Sequence, residues 1–209
     1  MCKQGIINYT DKKYNLKLST FYMHRDDPQL RLAHQYTSDP TSFDYATYNA
    51  EFAYHYGFEA DFIINFSKFL TISKSLSFLE TYVSEFEYRN TIYGNREVAH
   101  SPNQKYTFGL LYDFSKYITG LKLNIQSNYI TEFYFEEQNN VKSEPYNLID
   151  LSIQYKYKNI TLSLWSKNIA NTKYAIRGYT FALDPTYTVK SYQSFGDPQT
   201  VGMTLDFNI

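Results

Sequence analysis

Apolar and polar residues alternate along five segments of the chain, most clearly along the last one. In that segment an apolar residue occupies every second position, at Val201, Met203, Leu205, Phe207 and Ile209. A period of two sends alternate side chains to opposite faces of a β-strand, whereas a helix requires apolar residues three and four positions apart. The other alternating segments are 14–22, 106–114, 121–125 and 151–157. The pattern therefore predicts an all-β chain.

The connections between these segments are of two unequal kinds. Turn residues predict about nine strands, and short and long connections alternate strictly along the chain. The short ones are 11–13, 67–71, 115–120 and 156–159, and the long polar ones are 26–46, 90–102, 136–145 and 171–200. An antiparallel up-and-down sheet with this order carries every tight turn on one side and every long loop on the other, as transmembrane barrels of bacterial outer membranes do. The C-terminus then lies on the periplasmic side.

Composition indicates that lipid meets the apolar face. Aromatic residues make up 19% of the 209 residues, with 23 Tyr and 16 Phe, although the mean hydropathy is only -0.49. Tyr suits the boundary between hydrocarbon and water, because its ring is apolar and its hydroxyl is polar. No stretch approaches the roughly 18 apolar residues of a membrane helix, so a membrane span would be built from strands. On composition alone a soluble β-sandwich stays open, since aromatic residues also favour ordinary strands.

Charge and motifs argue against several classes of function. The 20 basic and 21 acidic residues give a formal net charge of -1, which does not favour nucleic-acid binding. The sequence contains no GxSxG, no HExxH and no glycine-rich phosphate loop, so an enzyme is not expected. Because Cys2 is the single cysteine and the 4 histidines are isolated in sequence, we expect no disulfide, no metal site and no cofactor.

An odd number of strands predicts an incomplete barrel. Bacterial single-chain barrels usually have an even number of strands, and an open sheet in lipid leaves the backbone groups of two edges without partners. The N-terminal residues also lack the features of a secretory signal. We therefore expect residues 1–209 to be the C-terminal portion of a larger barrel. Assembly with another chain is the alternative.

Two ordered motifs near the end of the chain resemble those of TonB-dependent outer-membrane receptors. The stretch LSLWSKNIANTKY is similar to the family's penultimate-strand motif at Trp165, Asn168, Asn171 and Tyr174. Further along, the chain resembles the family's closing element at Gly196, Pro198 and Gly202, with Gln199 in place of the usual Arg. Upstream segments that also resemble strands of the family are Phe21–Leu30, Tyr56–Phe62 and Leu76–Tyr82. The resemblance therefore covers nearly the whole chain.

The resemblance implies a fold, a location and a function. The complete protein would be a plugged barrel of 22 strands in the outer membrane of a Gram-negative bacterium. It would take up a scarce nutrient, most often a ferric siderophore or other iron complex, with energy supplied by the TonB complex through the plug. The plug domain has no counterpart in residues 1–209. The barrel-assembly machinery is expected to read the last strand, where Phe207 is third from the end and Ile209 is last.

Candidate ligand residues follow from the resemblance, because such a receptor binds its ligand between the plug and the outer ends of the wall. If even-numbered positions of the predicted strands 14–25 and 72–89 face lipid, Arg25 and Arg89 face the lumen near the extracellular rim, where Arg177 joins them. Guanidinium groups there would attract an anionic iron chelate. Alternatively, these arginines pair with loop acids and order the rim. A soluble carbohydrate-binding module with an aromatic platform is a second class of function.

Overall fold

The computed structural model describes residues 1–36 and 38–207, and it is built almost entirely of β-strands. The predicted all-β fold is confirmed. The one helical segment in these residues is a 3-10 turn at Phe114–Lys116, and no helix there is long and apolar enough to cross a membrane. Numbered along the chain, the strands are β1 (Cys2–Thr10), β2 (Tyr14–Asp26), β3 (Gln29–Gln35), β4 (Phe43–Asn49), β5 (Phe52–Ser67), β6 (Leu70–Val83), β7 (Phe86–Tyr88), β8 (Thr91–Tyr93), β9 (Gln104–Asp113), β10 (Leu121–Ile130), β11 (Tyr146–Tyr157), β12 (Ile160–Lys167), β13 (Ala175–Phe181), β14 (Lys190–Phe195) and β15 (Thr200–Phe207).

The long strands form one antiparallel sheet of nine strands, in the order β1-β2-β5-β6-β9-β10-β11-β12-β15. Each strand is hydrogen-bonded to the next long strand along the chain, so the order in the sheet follows the order in the sequence. The predicted up-and-down arrangement of about nine antiparallel strands is therefore confirmed. The sheet does not close on itself, because β1 and β15 lie at its two edges.

The register between strands places their apolar positions on one face of the sheet. Leu164 of β12 lies opposite Ile153 of β11 and Met203 of β15, and the three side chains are 51%, 44% and 67% exposed. Residues directly opposite each other in an antiparallel ladder point to the same side. A β-sandwich would bury such a face against a second sheet. Here the described chain leaves most of the face open, as expected of a surface that meets lipid.

The opposite face of the sheet is polar. Lys17 of β2 lies opposite Asp61 of β5, and the Ser75 hydroxyl of β6 donates a 2.6 Å hydrogen bond to the Asp61 carboxylate. On β9 and β10, the Thr107 hydroxyl donates to the Asn128 side-chain oxygen at 3.1 Å. Alternation of an apolar and a polar face along every strand is the arrangement of a membrane barrel with an aqueous interior.

The last strand shows the same alternation up to the end of the described chain. Val201, Met203, Leu205 and Phe207 lie on the apolar face of β15 and are 73%, 67%, 49% and 63% exposed. Ile209, which the sequence pattern adds to this strand, lies outside the described residues. β15 therefore presents an apolar row on one face, and its outer backbone edge has no partner strand among the described residues.

The long connections all leave the same end of the sheet, and the short turns all lie at the other end. Three long connections contain a two-stranded hairpin each, β3–β4, β7–β8 and β13–β14. The tightest packing lies in this loop layer, where Leu32, Val83 and Phe135 are only 2%, 0% and 3% exposed. The sequence predicted long polar loops without hairpins. For β7–β8 the reason is length, because strands of 3 residues contain too few alternations to detect.

The predicted strand that ends at Arg89 is wrong at that end. β6 stops at Val83, and Arg89 and Asn90 form the turn between β7 and β8 with φ values of 51° and 60°. Positive φ at both central residues is the geometry of a two-residue hairpin turn. The sequence conceals this break, because the apolar Phe86 and Tyr88 of β7 continue the alternation of β6. Arg89 therefore does not lie on the wall of the sheet.

Candidate ligand site among the long loops

A cleft of about 630 Å³ opens among the four long connections, and we call it the loop cleft. Each long connection contributes to its walls. The charged or titratable lining residues are Arg31, His100, Glu136, Glu137 and Arg177, and the aromatic ones are Tyr45, Phe135 and Tyr179. A concave site with aromatic walls and a few convergent polar groups is the usual form of a small-molecule site. The loop cleft is therefore the candidate functional site.

Arg96 holds one wall of the loop cleft in place. Its guanidinium donates hydrogen bonds to the backbone oxygen of Asn139 at 2.7 Å and to the side-chain oxygen of Asn140 at 2.8 Å, and also to the backbone oxygen of Glu136. The same group lies 4.3 Å from the centroid of the Tyr134 ring. Hydrogen bonds from a charged donor are stronger than neutral ones. A single side chain therefore fixes the backbone that carries the cleft's carboxylates.

Two hairpins from distant parts of the sequence interlock beside the loop cleft. The Gln35 side chain of β3 accepts a 2.8 Å hydrogen bond from the Ala182 backbone N–H and donates one of 3.3 Å to the Ala182 backbone oxygen. The rings of Phe43 and Phe181 meet edge to face with centroids 5.1 Å apart. The β3–β4 hairpin rises near one edge of the sheet and β13–β14 near the other, so these contacts join the two sides of the loop layer.

Burial shifts the titration of three groups that line the loop cleft. It raises the pKa of Glu137, an effect that the backbone N–H of Ala99, bound to this carboxylate at 2.9 Å, partly offsets. Burial likewise raises the pKa of Glu136. It lowers the pKa of His100, and the nearby positive charge of Arg177 lowers it further. The described residues contain no cluster of three or more metal-binding side chains. The cleft therefore combines two guanidinium groups with two carboxylates that are partly withdrawn from water.

The structure separates the three arginines that the sequence grouped as ligand candidates. Arg177, in β13, lines the loop cleft, and so does Arg31, in β3. Arg25 lies on the polar face of β2, opposite Ala53, and does not line the cleft. Arg31 lay in a predicted loop without a distinguishing motif, and only the tertiary fold reveals its proximity to Arg177.

Arg89 is occupied by contacts within the loop layer. Its guanidinium pairs with the Asp44 carboxylate at 2.6 Å and donates a 3.2 Å hydrogen bond to the Tyr36 hydroxyl. These contacts join the β7–β8 turn to the β3–β4 hairpin. The arrangement matches the alternative that the sequence left open for these arginines, an ion pair with a loop acid that orders the rim.

The two terminal motifs meet at Asn168, which follows β12. Asn168 is 4% exposed and has a φ of 48°. Its side-chain nitrogen donates to the backbone oxygens of Thr172 at 2.9 Å and Asp197 at 3.2 Å, and its side-chain oxygen accepts from the Thr172 N–H at 2.8 Å. The Asn171 side-chain oxygen accepts from the Gln199 N–H at 2.9 Å. The two segments that resemble family motifs therefore hold each other at the loop end of the wall.

The glycines of the closing element make room for aromatic rings. Gly202 lies opposite Trp165 on the polar face, and a Cβ at this position would overlap the indole. The indole N–H donates to the Thr204 hydroxyl at 3.2 Å. A Cβ at Gly196 would likewise overlap the ring of Tyr174. The motifs thus pack a ring against a glycine twice, in the wall at Trp165 and Gly202 and in the last long connection at Tyr174 and Gly196. Pro198 lies between these contacts, with Asp197 and Gln199 on either side.

Comparison with known families identifies the class of this protein. Residues 5–169 match the family described as TonB dependent receptor-like, beta-barrel. The chain belongs to this family, whose members are receptors of the outer membrane of Gram-negative bacteria. The family is one of transporters and receptors rather than of enzymes.

Several solved receptors have the same fold over nearly the whole chain. The ferric yersiniabactin uptake receptor FyuA from Yersinia pestis is 17% identical, with a TM-score of 0.77 over 99% of this chain and 29% of that one. The siderophore receptor PiuA from Acinetobacter baumannii is 16% identical, with a TM-score of 0.71 over 99% of this chain and 28% of that one. The pyoverdine receptor FpvA from Pseudomonas aeruginosa PAO1 is 18% identical, with a TM-score of 0.70 over 100% of this chain and 30% of that one. The chain thus spans less than a third of these relatives.

Proposed function

We propose that residues 1–209 form the C-terminal part of the barrel wall of an outer-membrane receptor that takes up an iron complex, most often a ferric siderophore, with energy from the TonB complex. Membership of the receptor family and the open apolar face of the sheet support this proposal. The loop cleft, lined by Arg31 and Arg177, is the observation that carries it. The alternative, a soluble carbohydrate-binding module, is not favoured, because residues 1–36 and 38–207 place no second layer against the apolar face.

The wall requires further strands and a plug to transport its ligand. The backbone edges of β1 and β15 each need a partner strand in lipid, where an unsatisfied backbone group costs several kcal/mol. We assign both partners to the rest of a plugged barrel of the 22-stranded type. The plug would contact TonB, and the barrel-assembly machinery would engage β15 through its apolar row. The outward face would meet outer-membrane lipid.

The loop cleft would hold the ligand by charge and by stacking. Arg177 and Arg31 can donate paired hydrogen bonds to the oxygens of an anionic chelate. Tyr45 and Tyr179 offer ring faces beside them. Arg25 lies below, on the polar face of the wall, and adds positive potential along the entry path. Arg89 keeps the rim in shape through Asp44 rather than contacting the ligand.

Uptake of radiolabelled iron tests this function. Cells that express the complete receptor should accumulate a ferric siderophore under iron limitation, and deletion of the TonB system should abolish the uptake. Arg177→Ala should weaken binding about tenfold or more, because it removes a charged hydrogen-bond donor. Lys173→Ala, which removes a charge four positions away that does not line the cleft, should leave the affinity unchanged. Uptake that persists without TonB, or equal losses in both variants, would argue against the proposal.

A further inference from the structure

Each of the four short turns carries a lysine beside an aromatic ring. The turns connect β1 to β2, β5 to β6, β9 to β10 and β11 to β12, and all lie at the end opposite the loop cleft. We call the four lysines the lysine collar. The distances from the ammonium nitrogen to the ring centroid are 5.2 Å for Lys13–Tyr14, 4.9 Å for Lys68–Phe69, 5.4 Å for Lys116–Tyr117 and 5.4 Å for Lys158–Tyr157.

The collar lysines have no ion-pair partner within the described chain, although acids lie near them. The Asp11 carboxylate accepts from the backbone N–H groups of Lys13 and Tyr14 at 2.7 and 2.6 Å. The Asp113 carboxylate accepts a 2.8 Å hydrogen bond from the backbone N–H of Ser115 in its own turn, and it pairs with the Lys122 ammonium group at 3.7 Å. In the loop layer, by comparison, three basic residues do face an acid, in the pairs Arg89–Asp44, Lys142–Glu97 and Lys190–Asp184. The collar charges are therefore available to an outside anion.

The collar lies where the apolar face ends. Tyr14 is opposite Ile64, and Tyr157 is opposite Ile160, so both rings belong to the apolar face. Tyr14, Tyr157 and Tyr117 are 42%, 58% and 69% exposed. Aromatic rings favour the boundary of the hydrocarbon, and lysines there extend their ammonium groups to the head groups. In an outer-membrane barrel, short turns lie at the periplasmic surface.

We propose that the lysine collar binds anionic phospholipid head groups of the periplasmic leaflet. Each turn offers an ammonium group to a lipid phosphate while its ring contacts the adjoining acyl chains. An acidic periplasmic protein would also suit the charge, but it would not explain why an aromatic ring accompanies the lysine of every short turn, with two of these rings, Tyr14 and Tyr157, on the apolar face. Near an anionic membrane surface each lysine contributes about fivefold to affinity. The inference rests on membrane insertion of the wall and is independent of the transported ligand.

Lipid titration of the complete outer-membrane protein that contains this chain tests the collar. The protein, in an uncharged detergent, is titrated with phosphatidylglycerol or with phosphatidylcholine of the same acyl chains, and bound lipids are counted by native mass spectrometry. The wild type should prefer phosphatidylglycerol. A quadruple variant should bind that lipid at least tenfold more weakly; it carries Lys13→Gln, Lys68→Gln, Lys116→Gln and Lys158→Gln. Replacement of the same four lysines by arginine should keep the preference.

A charge-matched control separates the collar from net charge. Lys3→Gln, Lys105→Gln, Lys167→Gln and Lys173→Gln remove the same charge at the loop end and should keep the preference for phosphatidylglycerol. Equal affinity of the wild type for both lipids would overturn the proposal, as would equal losses in the collar and control variants. Binding of polyglutamate, without a preference for phosphatidylglycerol, would instead point to an acidic protein partner. Heat-modifiable gel mobility verifies folding, and iron uptake is measured separately.

Discussion

Asn168 combines two requirements that few residues meet. Its φ of 48° lies in the left-handed region, which asparagine tolerates better than most residues with a Cβ. Its amide also satisfies backbone groups of both terminal motifs, at Thr172 and Asp197. Glycine would meet the first requirement but not the second. The motif therefore marks a structural joint at the end of β12, and Asn168 does not line the loop cleft.

Substitution of Asn168 should separate these two contributions. Asn168→Ala should destabilise the barrel by about 2–4 kcal/mol, because it loses buried hydrogen bonds and strains the backbone. Asn168→Gly should cost about 1–2 kcal/mol less, since the φ is then unstrained. Thermal unfolding of the complete barrel, followed by heat-modifiable gel mobility, measures both. Equal losses in the two variants would show that φ is unimportant here.

At the scale of elements, the loop layer is a packed body on top of the wall. Leu32 of its β3–β4 hairpin packs with Val83 at the end of β6, and these two are the largest fully buried apolar side chains of the described chain, while the sheet below exposes its apolar face. Hydrogen bonds from side chains to the backbone hold the hairpins together. Among them, the bonds between Gln35 and Ala182 join the residues that lie farthest apart in the sequence. The loop cleft owes its shape to these contacts between hairpins.

Removal of the Gln35 side chain should loosen both hairpins at once. Gln35→Ala breaks two hydrogen bonds to Ala182 and one to the backbone oxygen of Pro40, so the free energy of local opening should fall by about 1–3 kcal/mol. Faster hydrogen exchange is expected in β3–β4 and in β13–β14 together. Gln29→Ala, in the same strand, removes an exposed amide without such bonds and should change neither. Faster exchange in β3–β4 alone would mean that the hairpins do not support each other.

At the scale of the molecule, one surface of the sheet must be solvated by lipid and the other by water. The register keeps the apolar positions of the nine strands in phase on one face, with Lys74 of β6 interrupting the rows between Phe62 and Phe108. Both edges of the sheet are open, so the wall depends on strands beyond it for closure. The loop cleft and the lysine collar lie at opposite ends of the same strands. Connection length therefore predicts that the lysine collar faces the periplasm and the loop cleft the outside.

A pair of neighbouring substitutions tests which face meets lipid. Leu164→Arg places a charge on the apolar face and should reduce the stability of the inserted barrel by about 2–4 kcal/mol near the bilayer midplane. Ser163→Arg places the same charge on the polar face and should cost much less, because water reaches it. Folding into phosphatidylcholine vesicles, with a denaturant titration, measures the difference. Equal costs, or a larger cost at Ser163, would reverse the assignment of the two faces.

The sequence alone predicted the strands of the wall, the alternation of long and short connections, and the receptor family. These features are local, because each alternating segment defines its own two faces and each turn its own position. The hairpins of the loop layer escaped prediction, as did the end of β6 at Val83. β7 and β8 have only 3 residues each, too few for a period to be visible. β3, β4 and β13 have 7 residues each, but they lie in long polar segments without a regular apolar alternation.

The tertiary structure decided which residues share a site. Arg31 and Arg177 line one cleft although 146 positions separate them in the sequence (177 − 31), and Arg89 turns to Asp44 instead. The reason is physical. Strand periodicity depends on neighbouring residues, whereas a site between loops depends on how distant hairpins pack, which no short segment encodes.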